Sequence, residues 1–171
     1  MSSIIICQLP DDVLLQRYQS NGDYVDCYCT HISKFVSQAE YIEAFYTTPL
    51  FKLERLVLKW LVSRPSTDLQ ARELALGHVE KFAAWRVEAR TENEILMCDF
   101  QGRTRSWLMI SPGQTEDGAG TELFFGSAVV HEKDEETGET KLGTGYQALL
   151  GFHKMYSRAL LYSARSELTS H

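Results

Sequence analysis

Two periods of apolar residues alternate along this chain, one of about 3.6 residues and one of about 2. A cap at Asp11 or Asp12 and a closing turn at residues 20–22 predict a short helix over residues 11–19, and strict alternation predicts a strand over residues 24–31. Helical spacing returns from Ser33 to Tyr46 until Pro49 interrupts it, and a further helix is predicted from about Leu50 to Val62. The N-terminal part therefore predicts one strand among several helices.

A capping box marks the start of another short helix. Thr67 and Gln70 have the spacing with which side chains satisfy the free amide groups of a helix N-terminus. Gly77 suits the left-handed residue that follows a helix end. Together with the segments before it, this pattern predicts two or three helices inserted after the first strand.

The middle of the chain changes to strand periodicity. Three strands are predicted, at Phe82 to Arg90, Glu94 to Gln101 and Thr104 to Ile110. A loop is predicted from Ser111 to Gly120, and a fourth strand from Glu122 to His131. The short connections predict an antiparallel meander.

The pairing of the first two meander strands decides which residues share a face. A two-residue turn would place Arg86 opposite Asp99, as a cross-strand ion pair, and Val87 opposite Cys98. The face predicted to meet water comprises Arg86, Glu88, Asp99, Thr104 and Ser106, with Met97 and Leu108 as apolar exceptions. The face that needs an apolar cover comprises Trp85, Val87, Ala89, Leu96, Cys98, Phe100, Trp107 and Met109, with Arg105 as its only charge.

A long helix from roughly Tyr146 to Glu167 closes the chain, and at about 1.5 Å per residue it can cross a whole sheet. The acidic stretch of about 132–141 before it predicts a solvated loop. We therefore predict a single α+β domain over residues 1–171, in which a curved antiparallel β-sheet wraps around the C-terminal α-helix. The apolar stripe of that helix comprises Tyr146, Leu149, Leu150, Tyr156, Leu160 and Ala164, with His153 inside it.

The amino-acid composition mainly argues against certain partners and cofactors. A chain of 171 residues that is 44% hydrophobic can build a core without metal or disulfide support. The net charge of -6, with no long block of Lys or Arg, disfavours nucleic acid as a partner. The acidic stretch lacks the ligand spacing of a calcium loop, so neither a metal nor a cofactor is expected.

The cysteines and the N-terminus indicate the compartment. The four cysteines contain no CxxC pair, so reduced and buried thiols are expected. The N-terminus lacks a basic start, and its apolar run ends at Pro10, which is too short for a signal peptide. No stretch approaches the roughly 20 apolar residues of a membrane span. The sequence thus predicts a cytoplasmic protein.

The order of the predicted elements is similar to that of the START-like or SRPBCC fold, also called helix-grip. The chain also resembles a family of uncharacterised, mainly bacterial proteins whose first strand has the form Asp-Tyr-Ala-Asp-x-Phe. Here residues 23–28 read Asp-Tyr-Val-Asp-Cys-Tyr, and residues 85–87, Trp-Arg-Val, resemble an element of the family's second strand. Residues 151–153, Gly-Phe-His, resemble a Pro-Phe-His element with Gly in place of Pro. The resemblance covers roughly Leu9 to Ala164 and implies the fold, because the family has no assigned activity.

Two polar residues on the covered surfaces are candidates for ligand contacts. His153 would face the space between helix and sheet, where it either contacts a ligand or is a neutral core histidine bonded to a neighbour. Arg105 requires an acidic partner, an anionic ligand or a rim position with its head in water. Asp23 and Asp26 fall on opposite faces of a strand, so capping and turn roles are expected for them.

Three functional hypotheses follow, and no catalytic motif assigns catalytic residues. The first is a binding module for a small apolar or amphipathic ligand in a cavity between sheet and C-terminal helix. Its candidate lining is His153, Tyr156, Tyr146, Arg105, Trp85, Trp107 and Phe100. The second is a homodimer formed through the apolar helix of residues 50–62. The third, a cyclase- or hydrolase-like enzyme with His153 as acid or base and Tyr24 or Tyr156 as orienting hydroxyl, rests on fold analogy.

Overall fold

The computed structural model describes residues 3–52, 66–115, 118–130 and 144–170, and for residue 115 and residues 144–153 it describes the backbone alone. Its helices are α1 (Gln16–Ser20), α2 (Gln38–Thr47), α3 (Asp68–Ala75) and α4 (Thr144–Thr169). Its strands are β1 (Ile5–Ile6), β2 (Tyr24–Ile32), β3 (Lys81–Phe82), β4 (Trp85–Arg90), β5 (Glu94–Asp99), β6 (Thr104–Thr115) and β7 (Gly118–Val129). The acidic stretch of about 132–141 lies outside the described residues, as do residues 53–62 of the helix predicted from about Leu50 to Val62.

Within the described residues, seven strands form one antiparallel sheet in the order β1-β2-β7-β6-β5-β4-β3. The long helix α4 packs against β2, β7 and α2, and α2 in turn packs against α3. The predicted α+β class, with an antiparallel sheet and a long C-terminal helix, is confirmed. No helix in the described ranges combines the length and the apolar character needed to cross a membrane.

Local capping chemistry sets where the inserted helices begin. Ser37 is in an extended conformation, its Oγ accepts from the Glu40 amide at 3.2 Å, and its own amide donates to the Glu40 carboxylate at 2.7 Å. This capping box makes α2 begin after Ser37, later than the periodicity predicts. The predicted box of Thr67 and Gln70 is confirmed at the start of α3.

The predicted loop from Ser111 to Gly120 is wrong, because β6 and β7 continue as a paired hairpin through this region. Ser111 pairs with Glu122, and Gly113 pairs with Gly120. A Cβ atom at Gly120 would lie 2.0 Å from the carbonyl oxygen of Ile32, so glycine is required there by the close approach of the end of β2. Gly113 and Gly120, which resemble loop signals in the sequence, therefore reflect tertiary crowding.

A β-bulge between Val87 and Ala89 changes the register of the first meander pair. Ala89 pairs with Leu96, as a two-residue turn predicts, but beyond the bulge Arg86 pairs with Cys98. The predicted pairs Arg86 with Asp99 and Val87 with Cys98 are therefore wrong, because one extra residue shifts the pairing. The Asp99 carboxylate instead closes the next turn by accepting from the backbone amides of Arg103 and Thr104, at 2.8 and 3.2 Å.

Both faces of the sheet are covered, so the prediction that one face meets water is wrong. Helices α2, α3 and α4 cover one face, here called the α4 face, and residues 7–18 cover the other, the N-terminal face. Met97 and Leu108, predicted on the water side, are completely buried on the α4 face. Four residues predicted under the C-terminal helix pack instead on the N-terminal face, namely Ala89, Leu96, Trp107 and Met109. Alternation separates two faces, but it does not say which element covers each one.

Candidate functional site

A cavity of about 160 Å³ lies between the α4 face of the sheet and the helices. Residues from α2, β4, β6, β7 and α4, and from the helical residues 49–52, form its wall. The lining residues are Phe45, Phe51, Trp85, Thr104, Arg105, Ser106, Phe125, Ser127, Tyr156, Ser157 and Leu160. The sequence predicts a ligand cavity between the sheet and the C-terminal helix, and occupation of this space by a ligand stays a prediction.

Aromatic rings make up much of the apolar wall. The ring of Phe45 lies 5.0 Å from that of Phe125 and 6.1 Å from that of Phe51, measured between ring centroids. All three side chains are buried, as is Leu160. Packed rings of this kind have few rotamers available, so this wall offers a preformed apolar surface to a bound molecule.

Hydroxyl groups form a polar row on the opposite wall. Ser106 in β6 pairs with Ser127 in β7, and Ser127 pairs with Asp26 in β2. Both serines are buried and line the cavity. Directly paired residues share one face and have Cβ atoms about 4.5–5.5 Å apart, so a polar row extends from the cavity to Asp26.

Asp26 accepts hydrogen bonds from three hydroxyl groups. Its Oδ1 accepts from Ser127 Oγ, and its Oδ2 accepts from the phenols of Tyr28 and Tyr24 at 3.3 and 3.4 Å. Burial, and then the nearby Asp26 carboxylate, raise the pKa of Tyr28 above its ordinary value of 10.0, so this phenol keeps its proton at neutral pH. The capping or turn role predicted for Asp26 is wrong, because Asp26 lies within β2 on the α4 face, next to the cavity.

Ser157 presents an unused hydroxyl to the cavity from α4. Its side chain is 1% exposed, and its Oγ has no hydrogen-bond partner among the described residues. A buried hydroxyl without a partner costs free energy, so such groups in folded proteins call for an explanation. A ligand group or a water molecule in the cavity would supply the missing hydrogen bond.

The charged residue of the lining, Arg105, directs its guanidinium to the N-terminal face. Its Nε lies 2.6 Å from both Glu88 Oε2 and Tyr18 Oη, and its Nη1 donates to the carbonyl of Gly102 at 2.8 Å. The sequence left three alternatives open for Arg105, and the structure shows the acidic partner. That partner is Glu88, which lies in the β-bulge between Val87 and Ala89. The described part of the lining therefore presents no unpaired cation to an anionic ligand.

Two other predicted lining residues also border the cavity, and two do not. Trp85 and Tyr156 lie on its wall. Trp107 is fully buried on the N-terminal face, where its Nε1 donates to Glu94 Oε2 at 2.7 Å. Phe100 is 46% exposed after the end of β5. The register shift and the two-sided cover of the sheet explain why these two fall away from the cavity.

Several predictions fall outside what the structure describes. The side chains of Tyr146 and His153 belong to the part of α4 for which the backbone alone is described. Most of the apolar helix predicted as a dimer surface lies between residues 53 and 62, also outside the described ranges. Phe51 is described, and it is buried against the core rather than free for a partner.

The serines of the cavity were missed because serine carries little signal in a sequence. Ser106 alternates with apolar residues as a water-facing residue would, and Ser157 is one polar residue among many in α4. The alternation of Tyr24, Asp26 and Tyr28 on one strand face was a usable signal. Polar aromatic residues around one carboxylate are typical of a half-buried polar site rather than of an open surface.

Comparisons with known proteins do not add a family to this description. No protein-family model, no curated protein and no solved structure matches the chain. In the described part of the chain, no group of three or more His, Cys, Asp or Glu side chains is placed to hold a metal ion. The functional argument therefore rests on the cavity.

Proposed function

We propose that this chain is a binding module of the helix-grip type, which holds a small and mostly apolar ligand in the cavity under α4. The strand order and the long helix across the sheet support this fold type. The observation that carries the function is the lining itself, in which aromatic walls surround a few converging hydroxyl groups. Small-molecule sites in proteins typically have this composition.

The size of the cavity limits the ligand. Pockets for drug-sized molecules measure about 300–1,000 Å³, whereas an apolar cavity of about 150 Å³ holds a molecule of the size of benzene. At about 160 Å³, the described cavity accommodates one ring with a small substituent. We therefore propose a ligand of single-ring size rather than a lipid with long chains.

Filling the cavity from α4 tests the proposal. Ser157→Leu places a branched apolar side chain into the space, while the control Ala159→Leu adds the same group at an exposed position of the same helix. We expect toluene, followed by ligand-observed NMR, to bind the wild-type protein and Ala159→Leu but not Ser157→Leu. Equal toluene binding by both variants, or none by the wild-type protein, would contradict the proposed function.

Native mass spectrometry provides a complementary test of the protein as it comes from cells. After gentle purification we expect a bound species of low mass on the wild-type protein. The same species should be absent from Ser157→Leu and retained by Ala159→Leu. A co-purifying mass that all three proteins retain equally would place the ligand outside this cavity.

A further inference from the structure

We propose that Cys7 and Cys27 are a site of reversible oxidation, at which a disulfide bond locks the N-terminal cover onto the sheet. The N-terminal cover is the segment of residues 7–18, which lies over the N-terminal face. The two thiols are on the opposite side of the sheet from the cavity. The inference is therefore independent of the cavity and of its ligand.

The backbone places the two cysteines directly opposite each other. The register of β1 with β2 pairs Ile6 with Tyr28, so the next pair along is Cys7 with Cys27. The amide of Cys7 donates to the carbonyl of Cys27 at 3.1 Å. Opposed residues of antiparallel strands have Cα atoms about 4.5–5.5 Å apart, and disulfide bonds span Cα distances of roughly 4.4–6.8 Å. The two segments therefore need no displacement to accommodate the bond.

The side chains of the pair are already in contact. Cys7 Sγ lies 3.3 Å from Cys27 Sγ, and a disulfide bond brings the sulfur atoms to about 2.0 Å. Small rotations of the two side chains are sufficient to close this gap. Cys27 is buried whereas Cys7 is partly exposed, so an oxidant in solution reaches Cys7 first.

Cys29 is the competing partner for Cys7, and the strand register disfavours it. Cys29 packs on the same face as Cys27, and its thiol also contacts Cys7. It is paired with Ile5, however, and is therefore a diagonal neighbour of Cys7. Diagonal neighbours are about 7–8 Å apart, which is beyond the usual span of a disulfide bond. We expect Cys29 to remain a thiol.

Hydrogen peroxide is an oxidant with which the reaction balances. The Cys7 thiolate attacks one peroxide oxygen, the O–O bond breaks, and a sulfenic acid forms on Cys7 while the released hydroxide takes up the thiol proton as water. The sulfur of Cys27 then attacks the Cys7 sulfur, forms the S–S bond and displaces hydroxide, which leaves with the Cys27 proton as a second water. The two thiols lose two electrons and two protons, and the peroxide is reduced to water.

The environment of Cys7 makes this oxidation slow. A hydrogen bond to Cys27 and then burial raise the pKa of Cys7, and the thiolate is the reactive form, so little of it is present at neutral pH. The pair therefore suits a lasting lock under sustained oxidation rather than a rapid response to a short pulse of peroxide. The rate should increase about tenfold from pH 7 to pH 8, in proportion to the thiolate fraction.

The bond would close a loop that contains almost the whole N-terminal cover and α1. Residues 8–26 lie between the two cysteines, and a cross-link of this kind stabilises a protein mainly by restricting the unfolded chain. Beneath the cover lie the apolar side chains of Leu96, Trp107 and Phe124. Oxidation should therefore keep this surface covered at temperatures at which the reduced protein unfolds.

Peroxide treatment of the purified, fully reduced protein tests the pair, with Cys29→Ala as the matched control. Mass spectrometry without reductant should show the loss of two hydrogen atoms from the wild-type protein and from Cys29→Ala, but not from Cys27→Ala. The melting temperature of the oxidised wild-type protein should be about 6–12 °C higher than that of the reduced protein. Dithiothreitol should reverse both changes. No loss of mass from the wild-type protein, or an unchanged melting temperature after the loss, would overturn the proposal.

Peptide mapping of the oxidised wild-type protein decides the pairing even if a variant fails to fold. Chymotrypsin cleaves after Tyr28 and therefore separates Cys27 from Cys29. We expect a cross-linked peptide that joins Cys7 to Cys27. A peptide that joins Cys7 to Cys29, or a bond between two copies of the chain, would show that the assigned pair is wrong.

Discussion

Glu94 joins the N-terminal residues to the sheet through one carboxylate oxygen. Its Oε2 accepts from the backbone amide of Leu14 at 2.8 Å and from Trp107 Nε1 at 2.7 Å, and the residue is 6% exposed. A buried acceptor shared by one buried and one partly buried donor fixes both of them. The Glu94 side chain therefore attaches residues 7–18, which cover the N-terminal face, to the sheet.

We expect Glu94→Ala to lower the free energy of unfolding by about 2–4 kcal/mol, because it leaves the buried Trp107 N–H and the partly buried Leu14 amide without an acceptor. Glu94→Gln, whose amide oxygen can take the same position, should lose much less. Urea unfolding measures both, and Glu92→Ala in the adjacent exposed turn is the control. A loss for Glu94→Ala no larger than that of the control would show that the two donors find other partners.

Ser157 also affects stability in the absence of ligand. Ser157→Ala removes a buried hydroxyl that has no partner in the described part of the chain, so the unliganded protein should gain about 1 kcal/mol. For a chain of this size the melting temperature should rise by about 2–4 °C. Ser166→Ala, exposed on the same helix, controls for the higher helix propensity of alanine. A gain equal to that of the control would mean that the Ser157 hydroxyl is already satisfied.

At the scale of elements, the hairpin of β6 and β7 organises the site. It extends from Thr104 to Val129, it is paired with β2 on one side and with β5 on the other, and it carries Ser106 and Ser127. Its far end is compressed against the end of β2 at Gly120. The hairpin therefore links the crowded end of the sheet to the cavity.

Gly120→Ala should be strongly destabilising, on the order of 3 kcal/mol, because its Cβ would overlap a backbone carbonyl that cannot rotate away. The neighbouring exposed position supplies the control, Ala119→Ser, which should change stability by less than about 0.5 kcal/mol. Thermal unfolding compares the two. Equal melting temperatures would mean that the end of β2 can move away from the hairpin.

At the scale of the whole molecule, burial of thiol and phenol groups on both faces of the sheet sets the response to high pH. A hydrogen bond to Cys27 and then burial raise the pKa of Cys7 above 9.0, and burial raises the pKa of Cys29 above the same value. Burial also raises the pKa values of Tyr18 and Tyr28 above 10.0. Above their ordinary pKa values, these groups lose their protons in the unfolded chain but keep them in the folded chain.

Stability should therefore be unaffected by these groups below about pH 9 and should fall as the pH rises further. The sign follows from proton binding, since above the ordinary pKa the unfolded chain holds fewer protons than the folded chain. Urea unfolding between pH 7 and 11 measures this dependence. Tyr28→Phe removes one such group and should reduce the slope above pH 10. Constant stability up to pH 11 would contradict the burial of these groups.

Elements with local signals can be predicted from the amino-acid sequence without the tertiary structure. The alternation of β2, the capping box of α3 and the long helical pattern of α4 each depend on residues a few positions apart, and all three elements are present. The α+β class, with an antiparallel sheet and a long C-terminal helix, could be predicted in the same way. Hydrophobic period and capping chemistry act within one segment, so a single sequence contains them in full.

Three features depend on the tertiary structure: the register of β4 with β5, the segments that cover each face of the sheet, and the residues that meet at the cavity. The bulge that places Glu88 at Arg105, and the approach that requires Gly120, depend on contacts between distant parts of the chain. The same holds for Asp26 and Ser127, which are 101 positions apart and become a hydrogen-bonded pair only when β2 pairs with β7. Neither residue carries a local signal of the other, because strand pairing is decided by the packing of the whole sheet.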